Sequence, residues 1–415
     1  MKSTPRNLRL HIGLFGRRNV GKSSLLNALT HQDVAIVSAT PGTTTDPVEK
    51  PMELLPLGPV VFIDTAGIDD EGALGEQRIA RTRLALDRTD LAILVVADGE
   101  WGTFEEGLLE EIEKRGLGAI VCFSKVDLTA PPKPLLDRLH ERKVEVVSTS
   151  AETGAGLEAL RAKLIACAPV DYFDSRRLVG DLVETGDVVV LVVPIDKEAP
   201  KGRLILPQVQ VIRDLLDSGA VAIVSKEDEL PGVLRKLTSP PRLVVTDSQA
   251  FEQVAVDTPR GIHLTSFSIL FSRFQGDLAE QVKGAAAIDC LQDKDKVLVA
   301  EGCTHHPIGE DIGRVKIPKW LAEHSGASLE FITVAGREFP DDLSPFSLVI
   351  HCGNCMGNRR EMLSRIMRCR QQGVPITNYG LAIALCRGIL KRAIEPFPVA
   401  LEAFKAAKEE GETCS

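Results

Sequence analysis

The octapeptide Gly16-Arg-Arg-Asn-Val-Gly21-Lys22-Ser23 places two glycines, a lysine and a hydroxyl at the spacing G-x-x-x-x-G-K-[ST]. That set wraps an anion. Gly16 and Gly21 let backbone N–H groups cradle phosphates, Lys22 neutralises the β and γ oxygens, and the Ser23 hydroxyl ligates Mg²⁺. Ser24 joins the phosphate-binding set at the helix start. Further on, Asp64-Thr-Ala-Gly67 supplies a carboxylate that holds Mg²⁺ through water and a glycine N–H for the γ-phosphate. Ser124-Lys125-Val126-Asp127 offers a carboxylate that accepts two hydrogen bonds from the guanine N1–H and amino group, which adenine lacks. Asp127 therefore argues for GTP over ATP. Ser150-Ala151-Glu-Thr-Gly154 can close over the base through its own N–H groups.

A second reactive set lies toward the other end. Cys303-Thr-His305 and His351-Cys352-Gly-Asn-Cys355 bring three thiols and up to two imidazoles. Metal binding needs thiolates, and both a coordinated cation and a helix N-terminus after Cys355 favour that form. A Cys₃His set could close a tetrahedral zinc site, but an incomplete set with a weak fourth ligand fits a cubane iron–sulfur cluster better. Cys122, Cys167, Cys290 and Cys386 read instead as small apolar packing groups. Arg359 and Arg360 either attract an anion or begin a solvated helix, and Tyr379 lines the same crevice or packs.

The elements that must position these residues alternate in kind. Apolar strands are expected over Leu8–Phe15, Val60–Ile63, Leu91–Ala97, Ala119–Phe123 and Val144–Val147, with helical patterns between them. This pattern predicts a P-loop NTPase domain with a mainly parallel sheet covered on both faces. After a polar linker, Asp171–Arg177, come Val188–Ile195, a helix over Gln208–Asp217, Val221–Val224 and Arg242–Thr246. A last set of strands is Lys296–Ala300, Leu329–Val334, Leu348–His351 and Val374–Thr377, with a helix from about Arg360 to Gln371. The fold class is thus α/β, with two further parallel-sheet α/β units after the first domain. In such sheets ligands collect outside the carboxyl ends of the strands, so the two cysteine clusters can meet across one crevice.

Length and composition agree. The chain has 415 residues, enough for two to four domains, and its 44% hydrophobic and 26% charged residues exclude a disordered or low-complexity chain. A net charge of −9 works against binding nucleic acid or anionic lipid. Neither Leu91–Ala97 nor Val188–Ile195 approaches the ~20 residues of a membrane-spanning helix, and Met1-Lys-Ser-Thr-Pro leads into a strand with no signal-peptide pattern, so a cytoplasmic protein is expected.

The four nucleotide motifs resemble those of translation-factor-related GTPases, the group that includes the Era-like and TrmE-like proteins. The resemblance implies that Thr44, in Pro41-Gly-Thr-Thr-Thr-Asp46, closes on Mg²⁺ and that Asn19 helps bind an activating K⁺. Two departures matter. Ser124 replaces the usual asparagine, which predicts a lost tether on the phosphate loop and weaker guanine binding with unchanged choice of base. Ile68 stands where signalling GTPases carry a water-orienting glutamine, so slow turnover is expected unless Asp69, Glu71, an ion or a partner supplies the missing group.

Cys-x-His, a long gap and His-Cys-x-x-Cys, downstream of such a GTPase domain, resemble the HydF family of iron–iron hydrogenase maturation factors. His263-Leu-Thr-Ser-Phe-Ser-Ile-Leu-Phe-Ser-Arg-Phe274 is similar to that family's dimerisation segment. The resemblance implies a GTPase domain over 1–170, a dimerisation domain over 178–284 and a cluster domain over 285–415. It also implies a 4Fe-4S cluster on Cys303, Cys352 and Cys355, with His305, His351, Glu310 or solvent as the fourth ligand. A homodimer is expected, as is a scaffold or carrier role for a two-iron precursor made by two radical enzymes and delivered to apo-hydrogenase. A ribosome-assembly or tRNA-modification GTPase and a zinc-stabilised GTPase switch are the competing readings.

Overall fold

β1 (Leu10–Phe15) and β4 (Leu91–Val96) are buried at every position, as central strands of a parallel sheet covered on both faces must be. The computed structural model describes residues 5, 8–30, 48–54, 57–65, 82–97, 99–169, 177–194, 204–302, 311–336, 338–354 and 357–411. Around β1 and β4 lie β2 (Val48–Leu54), β3 (Gly58–Asp64), β5 (Gly118–Phe123) and β6 (Glu145–Ser148), in the order β2-β3-β1-β4-β5-β6. All pairs are parallel except β2 with β3, whose register runs from Val48↔Asp64 to Leu54↔Gly58. The sequence pattern does not announce β2, because Lys50 and Pro51 interrupt it. An edge strand tolerates both.

The alternation of the strands loads two separate cores. Leu10, Ile12 and Leu14 meet Leu25, Leu26 and Leu29 of the helix Lys22–Thr30, together with Leu160 and Leu164 of the helix Leu157–Cys167. On the other face Phe15, Leu94 and Val96 meet Leu108, Leu109 and Ile112 of the helix Thr103–Lys114 and Leu139 of the helix Lys133–Glu141. Contacts divide the chain into Met1–Ser175 and Arg176–Ser415.

The second unit holds two four-stranded sheets. One comprises β7 (Val188–Val192), β8 (Val221–Ser225), β9 (Leu243–Thr246) and β10 (His263–Ser266), ordered β10-β9-β7-β8. The other comprises β11 (Lys296–Glu301), β12 (Glu330–Ala335), β13 (Leu348–His351) and β14 (Ile376–Asn378), ordered β12-β11-β13-β14. Both are wholly parallel and share one layout, with the second strand on one side of the first and the third and fourth on the other. In that layout the crevice opens between the carboxyl ends of the first and third strands, which in the last sheet are β11 and β13.

One continuous core joins these sheets. Leu270 and Phe271 of the helix Phe267–Gln275, Val282 and Ala285 of the helix Leu278–Ala286, and Leu381 and Leu385 of the helix Tyr379–Cys386 all enter it. The boundary expected at 284 falls inside the helix Leu278–Ala286. Gly284 there lies against β14 so closely that an added Cβ would sit 2.0 Å from the Ile376 carbonyl oxygen. Among the described residues no helix is long and apolar enough to cross a membrane.

Candidate functional site

Between β1 and the helix Lys22–Thr30 the backbone takes a path that glycine makes possible. Gly16 has φ +139, and a Cβ there would lie 2.2 Å from the Val95 carbonyl oxygen; Gly21 has φ +91. Asn19, at φ +62, is left-handed too, a conformation asparagine tolerates better than most residues. Lys22 is only 4% exposed, and its Nζ donates to the Gly16 and Arg17 carbonyls at 2.5 and 2.7 Å. The ammonium therefore lies inside the loop that would cradle the phosphates. Ser23 Oγ donates to Asp64 Oδ2 at 3.2 Å, so the two Mg²⁺-binding groups, one from a helix start and one from the end of β3, already converge. The donor set fits a nucleoside triphosphate with its Mg²⁺.

The Arg17 side chain turns from the loop to a neighbouring helix. Its Nε and NH2 donate to Glu105 Oε1 and Oε2 at 2.7 and 2.8 Å, and Glu105 also accepts the Gly102 N–H at 2.9 Å. Burial raises the Glu105 carboxyl, but the hydrogen bonds from Arg17 and from backbone N–H groups outweigh it and hold the group below the ordinary carboxylate range. The phosphate loop is thus fastened to the helix Thr103–Lys114, a contact that the motif spacing does not reveal.

The base-recognition loop corrects one expectation. Ser124 is 6% exposed, and its Oγ donates to the Val20 carbonyl at 2.5 Å, with Val96 O at 3.2 Å. The serine hydroxyl thus ties β5 to the phosphate loop, and the tether expected to be lost with the asparagine is present. Lys125 is left-handed at φ +53 and Asp127 is exposed, free to face a base. Ser150 is buried and its Oγ accepts the Thr153 N–H at 3.1 Å, while Ala151 sits at the loop mouth, half-buried. Thr44, Gly67, Ile68, Asp69 and Glu71 lie outside the described residues.

In the last sheet the strand ends bring Gly302 and Cys352 together. Gly302, directly before Cys303, donates its N–H to Cys352 Sγ at 2.9 Å, and the Asn354 N–H approaches the same sulfur at 3.5 Å. Sulfur receiving backbone N–H groups at a sheet crevice suits a thiolate ligand. Cys303, His305, Glu310 and Cys355 lie outside the described residues, and among the described residues no three His, Cys, Asp or Glu side chains are gathered for a metal.

His351 requires a correction as a candidate ligand. It is fully buried, its Nδ1 lies 2.7 Å from the Cys352 carbonyl oxygen and its Nε2 2.6 Å from Arg365 NH1. A carbonyl only accepts and a guanidinium only donates, so Nδ1 carries the proton and Nε2 spends its lone pair on Arg365. Neither nitrogen is left for iron. Arg365 is in turn held by Glu361 at 2.9 Å and stacked on Phe339.

The remaining cysteines divide. Burial pushes the Cys122 thiol up to about 12, against a weaker opposing hydrogen bond from Thr149. It pushes Cys369 up to about 12 and Cys386 up to about 11, so these stay protonated in packed surroundings. Cys290 is exposed and does not fit the packing role expected of it. Tyr379 starts a helix beside Gly313, where an added Cβ would sit 2.2 Å from the tyrosine oxygen. Its ring packs against the core of the second unit, next to the short π-helix Ile312–Lys316.

Family models match three stretches of the sequence. Residues 11–125 match a 50S ribosome-binding GTPase. Residues 178–276 match the hydrogen maturase F dimerization domain, and residues 279–396 its tetramerization domain. The chain belongs to the hydrogen maturase F (HydF) family. It is 40% identical over 163 residues to the tRNA modification GTPase MnmE of Nitrosomonas europaea, covering 38% of this chain and 35% of that protein. It is 33% identical over 166 residues to GTPase Der of Wolinella succinogenes, covering 38% of this chain and again 35% of the relative. The chain thus spans about a third of the length of these relatives. Among solved structures, the G domain of T. maritima FeoB aligns at 27% identity with a TM-score of 0.31, over 40% of this chain and 99% of that one. The HydF models cover both sheets of the second unit, and the GTPase model covers residues 11–125 of the first unit.

Proposed function

We propose that this GTPase of the HydF family carries a 4Fe-4S cluster on Cys303, Cys352 and Cys355 and serves as scaffold or carrier for the two-iron precursor of iron–iron hydrogenase, delivering it to apo-hydrogenase. The observation that supports the reading most directly is the 2.9 Å hydrogen bond from Gly302 N–H to Cys352 Sγ. It joins the two cysteine-bearing loops at the one place in the last sheet where the topology opens a crevice.

On the nucleotide side, Lys22 neutralises the β and γ phosphates, Ser23 and Thr44 hold Mg²⁺, and Asp64 orients it through water. Gly67 offers an N–H to the γ-phosphate, Lys125 and Asp127 read the guanine, and Ser150 and Ala151 close over it. Asn19 takes part in binding K⁺. Loss of the γ-phosphate frees Thr44 and Gly67, and partners read that change. On the cysteine side, a cluster with three thiolate ligands supplies, when bound, an iron that accepts an exchangeable ligand. Gly302 and Asn354 direct N–H groups at Cys352, and His351 fixes the Cys352 carbonyl. With His351 committed to Arg365, the fourth position falls to His305, Glu310 or solvent. The two radical enzymes and apo-hydrogenase are the partners this role requires.

The test is iron and acid-labile sulfide content with EPR of the reduced protein, purified and reconstituted without oxygen. Beside it stands a Cys303→Ala/Cys352→Ala/Cys355→Ala variant. About four irons per chain, with a cubane signal absent from the variant, is the expected result. Zinc alone, or no metal, would overturn the carrier reading.

A further inference from the structure

We propose that Asn354 is a positioning residue that holds the two cysteine-bearing loops at a fixed separation before any iron arrives; the inference rests on the cluster reading of the site. Asn354 is 2% exposed and left-handed, at φ +47. Its N–H points at Cys352 Sγ, and its Nδ2 donates to the Asn358 carbonyl at 3.3 Å. Asn358 in turn caps the helix Arg359–Gln371, its Oδ1 accepting the Glu361 N–H at 3.0 Å.

The amide is wedged between two glycines. A Cβ on Gly302 would lie 2.5 Å from Asn354 Oδ1, and a Cβ on Gly357 2.2 Å from it. Gly302 immediately precedes Cys303, and Gly357 follows Cys355 by two residues. One buried side chain therefore touches Gly302, Gly357 and the cap of the helix that follows them. If only the left-handed backbone mattered, glycine would serve position 354 with less strain. An asparagine whose buried Oδ1 has no hydrogen-bond partner among the described residues is costly unless the amide itself has a use. Its use is as a spacer of fixed size between Gly302 and Gly357, and the two glycines are the space it needs.

The experiment compares the intact wild-type protein with Asn354→Gly, Gly302→Ala and the double variant after anaerobic reconstitution. It reads iron content, the rate of iron loss to a chelator, the EPR spectrum and the midpoint potential. GTP hydrolysis reports the state of the first unit only, so circular dichroism and thermal unfolding of each variant report whether the unit that holds Asn354 is folded. Asn354→Gly keeps the left-handed turn and removes only the amide. It should load iron, lose it about 10- to 100-fold faster, and show a broadened or shifted EPR signal. Gly302→Ala should fail to hold iron because its methyl meets the amide, and adding Asn354→Gly should partly restore loading by removing that clash. Wild-type kinetics, spectrum and potential in Asn354→Gly would overturn the positioning role while leaving the cluster reading intact. A wild-type protein that holds no cluster would overturn both.

Discussion

At the scale of single residues, Ser124 shows how a motif can change its letter and keep its work. The hydroxyl reaches Val20 O at 2.5 Å from a buried position. Ser124→Ala would leave that carbonyl without its donor, weakening GDP binding by about 1–2 kcal/mol, or roughly 5- to 30-fold. Preference for guanine over adenine should persist, since Asp127 is untouched. Titration with a fluescent guanine nucleotide analogue checks this, and unchanged affinity in the alanine variant would remove the tether from the account. Asn19 carries a second expectation. Asn19→Gly keeps the left-handed backbone but removes the amide, so it should abolish any excess of phosphate release in K⁺ over Na⁺ while sparing the rate in Na⁺. Equal stimulation in the variant would assign the ion elsewhere. The motif spacing made Lys22, Ser23 and Asp64 legible because phosphate and Mg²⁺ chemistry fix residue type and interval together. It did not reveal the Arg17–Glu105 fastening or the His351–Arg365 bond, since the partners Glu105 and Arg365 lie outside the motifs that contain Arg17 and His351.

At the scale of elements, the outer strand of the middle sheet stands out. β8 lies at the sheet edge, and Val221 and Val224 on it are 48% and 46% exposed. In the preceding helix, Leu206–Asp217, Val209 and Leu216 are 47% and 57% exposed. An uncovered apolar edge invites another strand or chain, and this segment lies within the stretch matched by the HydF dimerization model. A Val221→Asp/Val224→Asp variant should lower the solution mass measured by light scattering without reducing GTP hydrolysis. An unchanged mass would place the contact between copies on another face. The strands of the first sheet were readable because continuous burial makes continuous apolar runs, as in Leu91–Val96. β2 was not, because an edge strand carrying Lys50 and Pro51 lacks that run and draws its register from β3. The helix Leu278–Ala286, which contains the boundary expected at 284, is not legible for a related reason. Its small residues suit either neighbour, and only the packing of Gly284 on Ile376 decides which sheet it covers.

At the scale of the whole molecule, the two sheets of the second unit repeat one layout with different fates for their carboxyl edges. In the last sheet that edge carries Gly302 and Cys352. In the middle sheet, Ser248 after β9 and Ser268 after β10 are hydrogen-bonded to each other at 3.1 Å. Gly380 sits over them so closely that a Cβ would come within 2.3 Å of Ser268 Cβ, and Asn378 Nδ2 donates to the Ser268 carbonyl at 3.1 Å. Asn378 is also the ladder partner of His351. The parallel-sheet class of both units was visible in the order of apolar runs, but this mutual covering was not, because it depends on small residues at strand ends rather than on periodicity. It bears on ancestry. A recombination event that separated the middle sheet from the last would strip Gly380 from the serines and bare the apolar faces of three helices. Selection for folding alone therefore favours keeping the two halves together, whether or not the last sheet carries cysteines.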